Sequence, residues 1–140
     1  MAKIIGLDLG SKTCGIAISD ATGLIARALT TVRFESDDYE QALREVTDVI
    51  RENKVTEVVL GLPKHMNGDV GVRGQISLDF GKKLEEEGFT VAYWDERLTT
   101  VQSEKMLISA DVRRKKRKKI IDQTAAVFIL QSYLDRHRRG

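Results

Sequence analysis

The chain has a single cysteine, a single proline and a single tryptophan, and aromatic residues make up only 6% of its 140 positions. One cysteine, Cys14, excludes an intramolecular disulfide framework and fits a reducing compartment, so a cytoplasmic location is expected. Cys14 lies inside a strand-like run and reads as core filler rather than as a nucleophile. No apolar run approaches the roughly 20 residues that cross a bilayer. The N-terminus passes from Met1-Ala2-Lys3 straight into a strand-like run with no leader pattern, so no membrane partner is expected. No internal repeat, low-complexity tract or linker divides the sequence, and residues 1–140 read as one domain, long enough to bury a core. With so few aromatics, Tyr93 and Trp94 read as core residues, not as platforms for stacking bases.

Charge is scarce in net terms, at +2, but unevenly placed. Residues 1–112 hold 13 Lys and Arg against 19 Asp and Glu, whereas residues 113–140 hold 10 against 2. Most of that surplus is one block, RRKKRKK, at Arg113–Lys119. Concentrated positive charge of this kind points to a polyanion as partner.

Hydropathy alternation and turn residues predict the order β-β-β-α-β-α-β-α-α. Lys3–Leu9 and Cys14–Ser19 read as a hairpin across Gly10–Thr13, and Leu24–Val32 as a third strand after the turn at Asp20–Gly23. Asp37 or Asp38 caps a helix with Ala42, Leu43, Val46, Val49 and Ile50 at helical spacing, ending near Asn53. Val55–Leu62 reads as a buried strand closed by Pro63, and Lys64–Gly74 as a glycine-bearing loop. A second helix sets Ile76, Phe80 and Leu84 on one face and stops at Gly88. Phe89–Trp94 is a fifth strand, and Thr99 and Gln102 have the spacing of a capping box opening a third helix to about Ser109. After the basic block, a last helix runs from about Ile120 to Arg136. Hairpin-connected strands followed by βα alternation give an α/β domain, a mixed sheet with helices on its faces.

Three acids interrupt apolar surroundings: Asp8 within the first strand, Glu96 at the carboxyl end of the fifth, and Asp122 in the first turn of an otherwise nearly apolar helix. Each has a plain alternative. Asp122 could complement the positive end of its helix, worth about 0.3–1 kcal/mol, and Glu96 could pair with Arg97. Asp8 is harder to dismiss, because a carboxylate in a buried strand must raise its pKa or find a cation. Converging carboxylates repel, and a divalent ion resolves that conflict. Mg²⁺ takes oxygen ligands from a few carboxylates, water and substrate phosphates. Two such ions ~3.5–4 Å apart can clamp the attacking and leaving oxygens of a phosphodiester. If the fifth strand lies two places from the first, the backbones are ~9–10 Å apart. Glu96 spans that gap more easily than Asp95, although both faces of the strand are apolar and alternation does not separate the two.

The basic block comes directly before the helix that carries Asp122, so a polyanion held by Arg113, Arg114, Lys115, Lys116, Arg117, Lys118 and Lys119 would lie beside the acids. As an alternative, the block is a solvated loop. Contacts of this kind give affinity and position without reading sequence. Lys12, Lys64 and Arg97 could add phosphate contacts from loops at the sheet edge. His65 is a conceivable proton shuttle but reads more simply as a solvated loop residue, as does His137 in the Arg-rich tail.

The motifs GLDLGSKTCGIAISD at 6–20, GLP with its glycine-containing loop at 61–68, DERLTT at 95–100 and IDQTAA at 121–126 resemble, in order and over essentially the whole chain, those of the YqgF (RuvX) family of RNase H-like proteins. The resemblance implies the RNase H-like fold, a five-stranded mixed sheet of order 3-2-1-4-5 flanked by helices. It implies metal-dependent nuclease chemistry with Mg²⁺ or Mn²⁺, and it places the catalytic and metal-binding acids on Asp8, Glu96 and Asp122. Members are associated with processing of the 16S ribosomal RNA precursor and with resolution of Holliday junctions. The implied partner is therefore nucleic acid, a structured RNA precursor or branched DNA, bound by a monomer or a homodimer.

Two other classes stay open. LDLGSKTCGIAIS also resembles the first phosphate loop of actin-like ATPases, but those need two such domains around the nucleotide. A binding module without catalysis would use the basic block alone.

Overall fold

A computed structural model describes residues 3–64, 67–96 and 114–137, with backbone only for 114–124. The strands are β1 (Ile4–Leu9), β2 (Thr13–Ser19), β3 (Ala26–Arg33), β4 (Glu57–Leu62) and β5 (Thr90–Asp95). The helices are α1 (Tyr39–Glu52), α2 (Val72–Glu86) and α3 (Arg114–His137). Sheet order is β3-β2-β1-β4-β5, as the resemblance implies. The pairs β1/β2 and β2/β3 are antiparallel, whereas β1/β4 and β4/β5 are parallel. This mixture follows from connection length: short turns can only reverse the chain, while helical crossovers return it in the same direction.

Side-chain alternation along each strand divides the core in two. Ile5, Leu7, Cys14, Ile16, Ile18, Val58 and Leu60 point to one face, where Ala42, Val46 and Ile50 of α1 and Phe80 and Leu84 of α2 cover them. Each such large apolar side chain contributes about 1.5–3 kcal/mol when fully buried. The other face is smaller: Ala17, Ala26 and Val59 pack against Ala126, Ile129, Leu130 and Leu134 of α3. A β-carbon on Gly6 would lie 2.7 Å from the Leu130 β-carbon and 3.2 Å from the Ala126 carbonyl, so only glycine lets the α3 backbone settle on the centre of the sheet. At the far end Gln131 fixes the helix, accepting from Ala26 N at 2.8 Å and donating to the Leu24 carbonyl at 2.9 Å.

Two boundary differences have a clear physical cause. β3 begins at Ala26 rather than Leu24, because the Asp20 carboxylate holds the amides of Leu24 and Ile25 in the turn at 3.0 and 3.2 Å. The Thr22 hydroxyl hydrogen bond is the main cause of an Asp20 pKa below the usual range. The last helix begins at Arg114, taking most of the basic block into its first turns instead of leaving it as a loop. Lys and Arg are good helix formers, a preference that a hydropathy pattern does not register. Of the two expected caps of α1, Asp38 is the one used, accepting from Gln41 N at 3.1 Å. The helix expected at Thr99–Ser109 lies outside the described residues. Among the described residues, no helix is long and apolar enough to cross a membrane.

α1 and α2 close in the same way. After α2, Phe89 N reaches the Leu84 carbonyl at 3.2 Å and Gly88 N the Glu85 carbonyl at 3.0 Å; after α1, Val55 N reaches Ile50 at 3.2 Å and Lys54 N reaches Arg51 at 3.0 Å. This closure needs a left-handed residue, and glycine supplies it at 88 (φ +103°), whereas α1 uses Lys54 (φ +57°). The left-handed region costs an L-residue about 1–2 kcal/mol, of which the extra unfolded-state freedom of glycine would cancel about 0.4–1 kcal/mol. Lys54→Gly should therefore stabilise the protein by about 0.5–1 kcal/mol, raising Tm by about 2–4 °C in a thermal melt.

Candidate active site

The parallel strands β1, β4 and β5 deliver the site at their carboxyl ends. In β1, Leu7 and Leu9 face α1 and α2, so Gly6 and Asp8 face α3. In β5, Val91 and Tyr93 join the first core and Trp94 the second, so Glu96, two residues beyond Trp94, continues on the α3 side. Its amide extends the β4/β5 ladder by one rung, donating to the Leu62 carbonyl at 3.1 Å. Strand parity thus separates Glu96 from Asp95 once the packing is known.

A hydrogen bond joins the carboxyl groups of Asp8 and Glu96. The intervening strand makes this contact possible. Gly61 of β4 lies beneath Glu96, and a β-carbon there would come within 3.0 Å of the Glu96 γ- and δ-carbons and 2.7 Å of Ile129 Cδ1. Both obstacles are ends of flexible side chains, so the fold can absorb the added methyl by turning Glu96 aside. Gly61→Ala should cost about 1–2 kcal/mol in a denaturant melt. Its catalytic effect should be larger, because a displacement of about 1 Å in a reacting group can cost 10²-fold in rate.

Burial first, then the charge of Asp8 and the hydrogen bond to it, push the Glu96 pKa up to about 8; Arg73 pulls it down and Asp95 adds to the rise. The pair therefore holds a proton near neutrality that an isolated glutamate would have lost. The same surroundings act on Cys14, whose thiol is driven well above its ordinary range, mainly by burial and then by the charge of Asp8. Cys14 is inert core, as the sequence reading has it.

Asp122 stands on α3 one turn ahead of Ala126, four residues along the chain. With Gln131 at the β3 start and Ala126 over Gly6, α3 runs towards the carboxyl end of β1 as it is traced back to its N-terminus. The backbone position of Asp122 therefore lies towards Asp8 and Glu96. Among the described residues, no three His, Cys, Asp or Glu side chains converge as a metal cluster; the side chain of Asp122 lies outside that description.

Of the cations, Lys12 is exposed in the β1–β2 turn and half-buried Lys64 follows β4, both at the carboxyl ends of parallel strands. Arg114, Lys115, Lys116, Arg117, Lys118 and Lys119 form the first turns of α3, ahead of Asp122 along the chain. Arg97, Arg113 and His65 lie outside the described residues. Two residues escape the sequence reading: Gly61, quoted only as part of a motif, and Arg73, which nothing in the local pattern marks.

Residues 2–136 match the profile of the family described as RuvX, Holliday junction resolvase. A protein of Lactococcus lactis subsp. lactis (strain IL1403), named as a candidate pre-16S rRNA nuclease, is 53% identical over 137 residues, covering 97% of this chain and 96% of its own. Among solved structures, RuvC of Thermus thermophilus in complex with a Holliday junction substrate aligns with a TM-score of 0.62 at 14% identity, over 97% of this chain and 96% of its own. The fowlpox virus Holliday junction resolvase aligns with a TM-score of 0.57 at 18% identity, over 96% and 98%. The two resolvases share the fold. The profile and the half-identical relative extend over nearly every residue from β1 to the end of α3, and on that ground the chain belongs to the RuvX family.

Proposed function

We propose that the chain is a divalent-metal-dependent endonuclease that hydrolyses phosphodiester bonds in the precursor of 16S ribosomal RNA, acting as a single cytoplasmic domain. The Asp8–Glu96 contact carries this reading. Two carboxyl groups brought together at the carboxyl edge of the sheet, one pushed up to about 8, make a costly arrangement for a structural pair. It is a natural one for a hard cation, which prefers oxygen and removes the repulsion. Asp8, Glu96 and Asp122 would hold Mg²⁺ or Mn²⁺, which when bound supplies Lewis-acid activation of the phosphoryl group and of water. The chain's own part would be to orient the substrate, with Lys12, Lys64, Arg97 and the Arg113–Lys119 block as the cations for backbone phosphates. The half-identical relative named for pre-16S rRNA favours RNA as substrate.

The description of the family profile favours a second reading, resolution of four-way DNA junctions. That activity cuts two opposed strands and calls for a two-fold dimer, whereas rRNA trimming needs only a monomer. Incubating the protein with precursor 16S rRNA and a four-way DNA junction side by side, with and without Mg²⁺, decides between them. Metal-dependent cutting of the RNA is the expected result. Cutting of the junction alone would reverse the ranking, and binding without any product would leave a module that holds nucleic acid.

A further inference from the structure

Arg73 sits in the first turn of α2, yet its guanidinium reaches across two other elements. Nη1 donates to the Tyr39 hydroxyl at 3.0 Å and Nη2 to the Leu9 carbonyl at 3.3 Å. The second bond ties the cation to the residue after Asp8, at the end of β1. Its charge is felt at Glu96. Both hydrogen-bond partners are neutral, and these two bonds use two of the five donors of a guanidinium. Arg73 and Lys64 also line a cavity of about 310 Å³, completed by Pro63, Gly71, Val72 and Gly74. Among the described residues no acidic side chain lines it. The cavity is open and large enough for a phosphodiester group with its sugar, and a forked guanidinium is the side chain best matched to phosphate.

We propose that Arg73, with Lys64, forms a subsite for a phosphate neighbouring the one cleaved at the acids, so that Arg73 binds the nucleic-acid backbone rather than only bracing α2 against β1. The proposal rests on the nuclease reading above. It predicts a direction for the substrate strand, from the acids over the end of β1 into the β4–α2 connection.

The salt dependence of binding tests this, because each phosphate contact adds about 0.7 (single strands) to 0.9 (duplex) to the slope of log K against log[salt]. Binding of a labelled precursor 16S rRNA fragment to the full chain would be followed over a series of KCl concentrations without divalent metal, and cleavage measured separately in Mg²⁺. Arg73→Gln keeps a donor for Tyr39 and Leu9 but loses the charge; it should lower the slope by one such contact and raise KM roughly tenfold. Arg73→Lys should restore the slope but only part of the lost KM, because an ammonium supplies the charge without the fork, and Tyr39→Phe should leave the slope unchanged. An unchanged slope in Arg73→Gln, with wild-type protein still cutting the RNA, overturns the subsite and leaves the nuclease reading standing. Wild-type protein that neither binds nor cuts the RNA or the junction overturns both.

Discussion

Asp8→Asn should lower cleavage by about 10³-fold or more at saturating Mg²⁺ and at the same time make the metal-free protein more stable at pH 8. The two effects share one cause. Asparagine keeps the shape of the side chain and can still donate to Glu96, but it removes the charge that Asp8 places beside a buried carboxyl group. Loss of an electrostatic group aimed at the reacting phosphate is worth 10²–10³ in rate for a single neutral donor, and a metal ligand should exceed that. Without metal, the same change removes like-charge repulsion, so Tm at pH 8 should rise by roughly 5 °C. Glu96 still titrates above the usual glutamate range in this variant, since burial is the first cause of its shift. Undiminished cleavage by a well-folded Asp8→Asn protein would remove Asp8 from the site.

The second large effect is a stability that falls with pH in a range where most proteins gain. Glu96 has a folded-state pKa of about 8 against an ordinary 4.5. Between those values the folded protein keeps a proton that the unfolded chain releases. The unfolded state binds fewer protons there, so stability drops as pH rises and levels off above about pH 8. The loss is on the order of a few kcal/mol, or roughly 10 °C in Tm between pH 5 and pH 8 for the metal-free protein. Glu96→Gln should abolish that slope. Millimolar Mg²⁺ should raise Tm at pH 8 and above, where Glu96 gives up its proton, and have little effect at pH 5, because an ion that binds only the folded, deprotonated pair stabilises by mass action. A slope of the same size in Glu96→Gln would assign it to other groups.

Much of this architecture can be read from residue order. The alternating runs of β1, β2 and β4, the helical spacing in α1 and the glycine that closes α2 each state their element locally, and Asp8 announces itself as a charge among buried neighbours. What could not be read is non-local. The choice between Asp95 and Glu96 depends on which face of β5 meets α3, a matter of tertiary packing. The reach of Glu96 across β4 depends on the absence of a side chain at Gly61, one strand away. Arg73 looks like any solvent-facing arginine near a helix start until α2 is laid beside the end of β1. The start of the last helix is hidden for a different reason: hydropathy periodicity begins only at about Ile120, while the backbone preference of Lys and Arg carries the helix back to Arg114.

The clip at Gln131 has a consequence far from where it acts. Its amide locks both the height and the rotation of a 24-residue helix against the start of β3. An α-helix turns about 100° for each residue, so a slip of a single position there would swing residue 122 through more than a quarter turn. The close approach at Gly6 seats Ala126 and Leu130 against the centre of the sheet on the same helix. The geometry behaves like an indexing pin on a shaft: the angular setting of one end, where chemistry is proposed, is decided by a hydrogen-bonded amide nine residues away at the other.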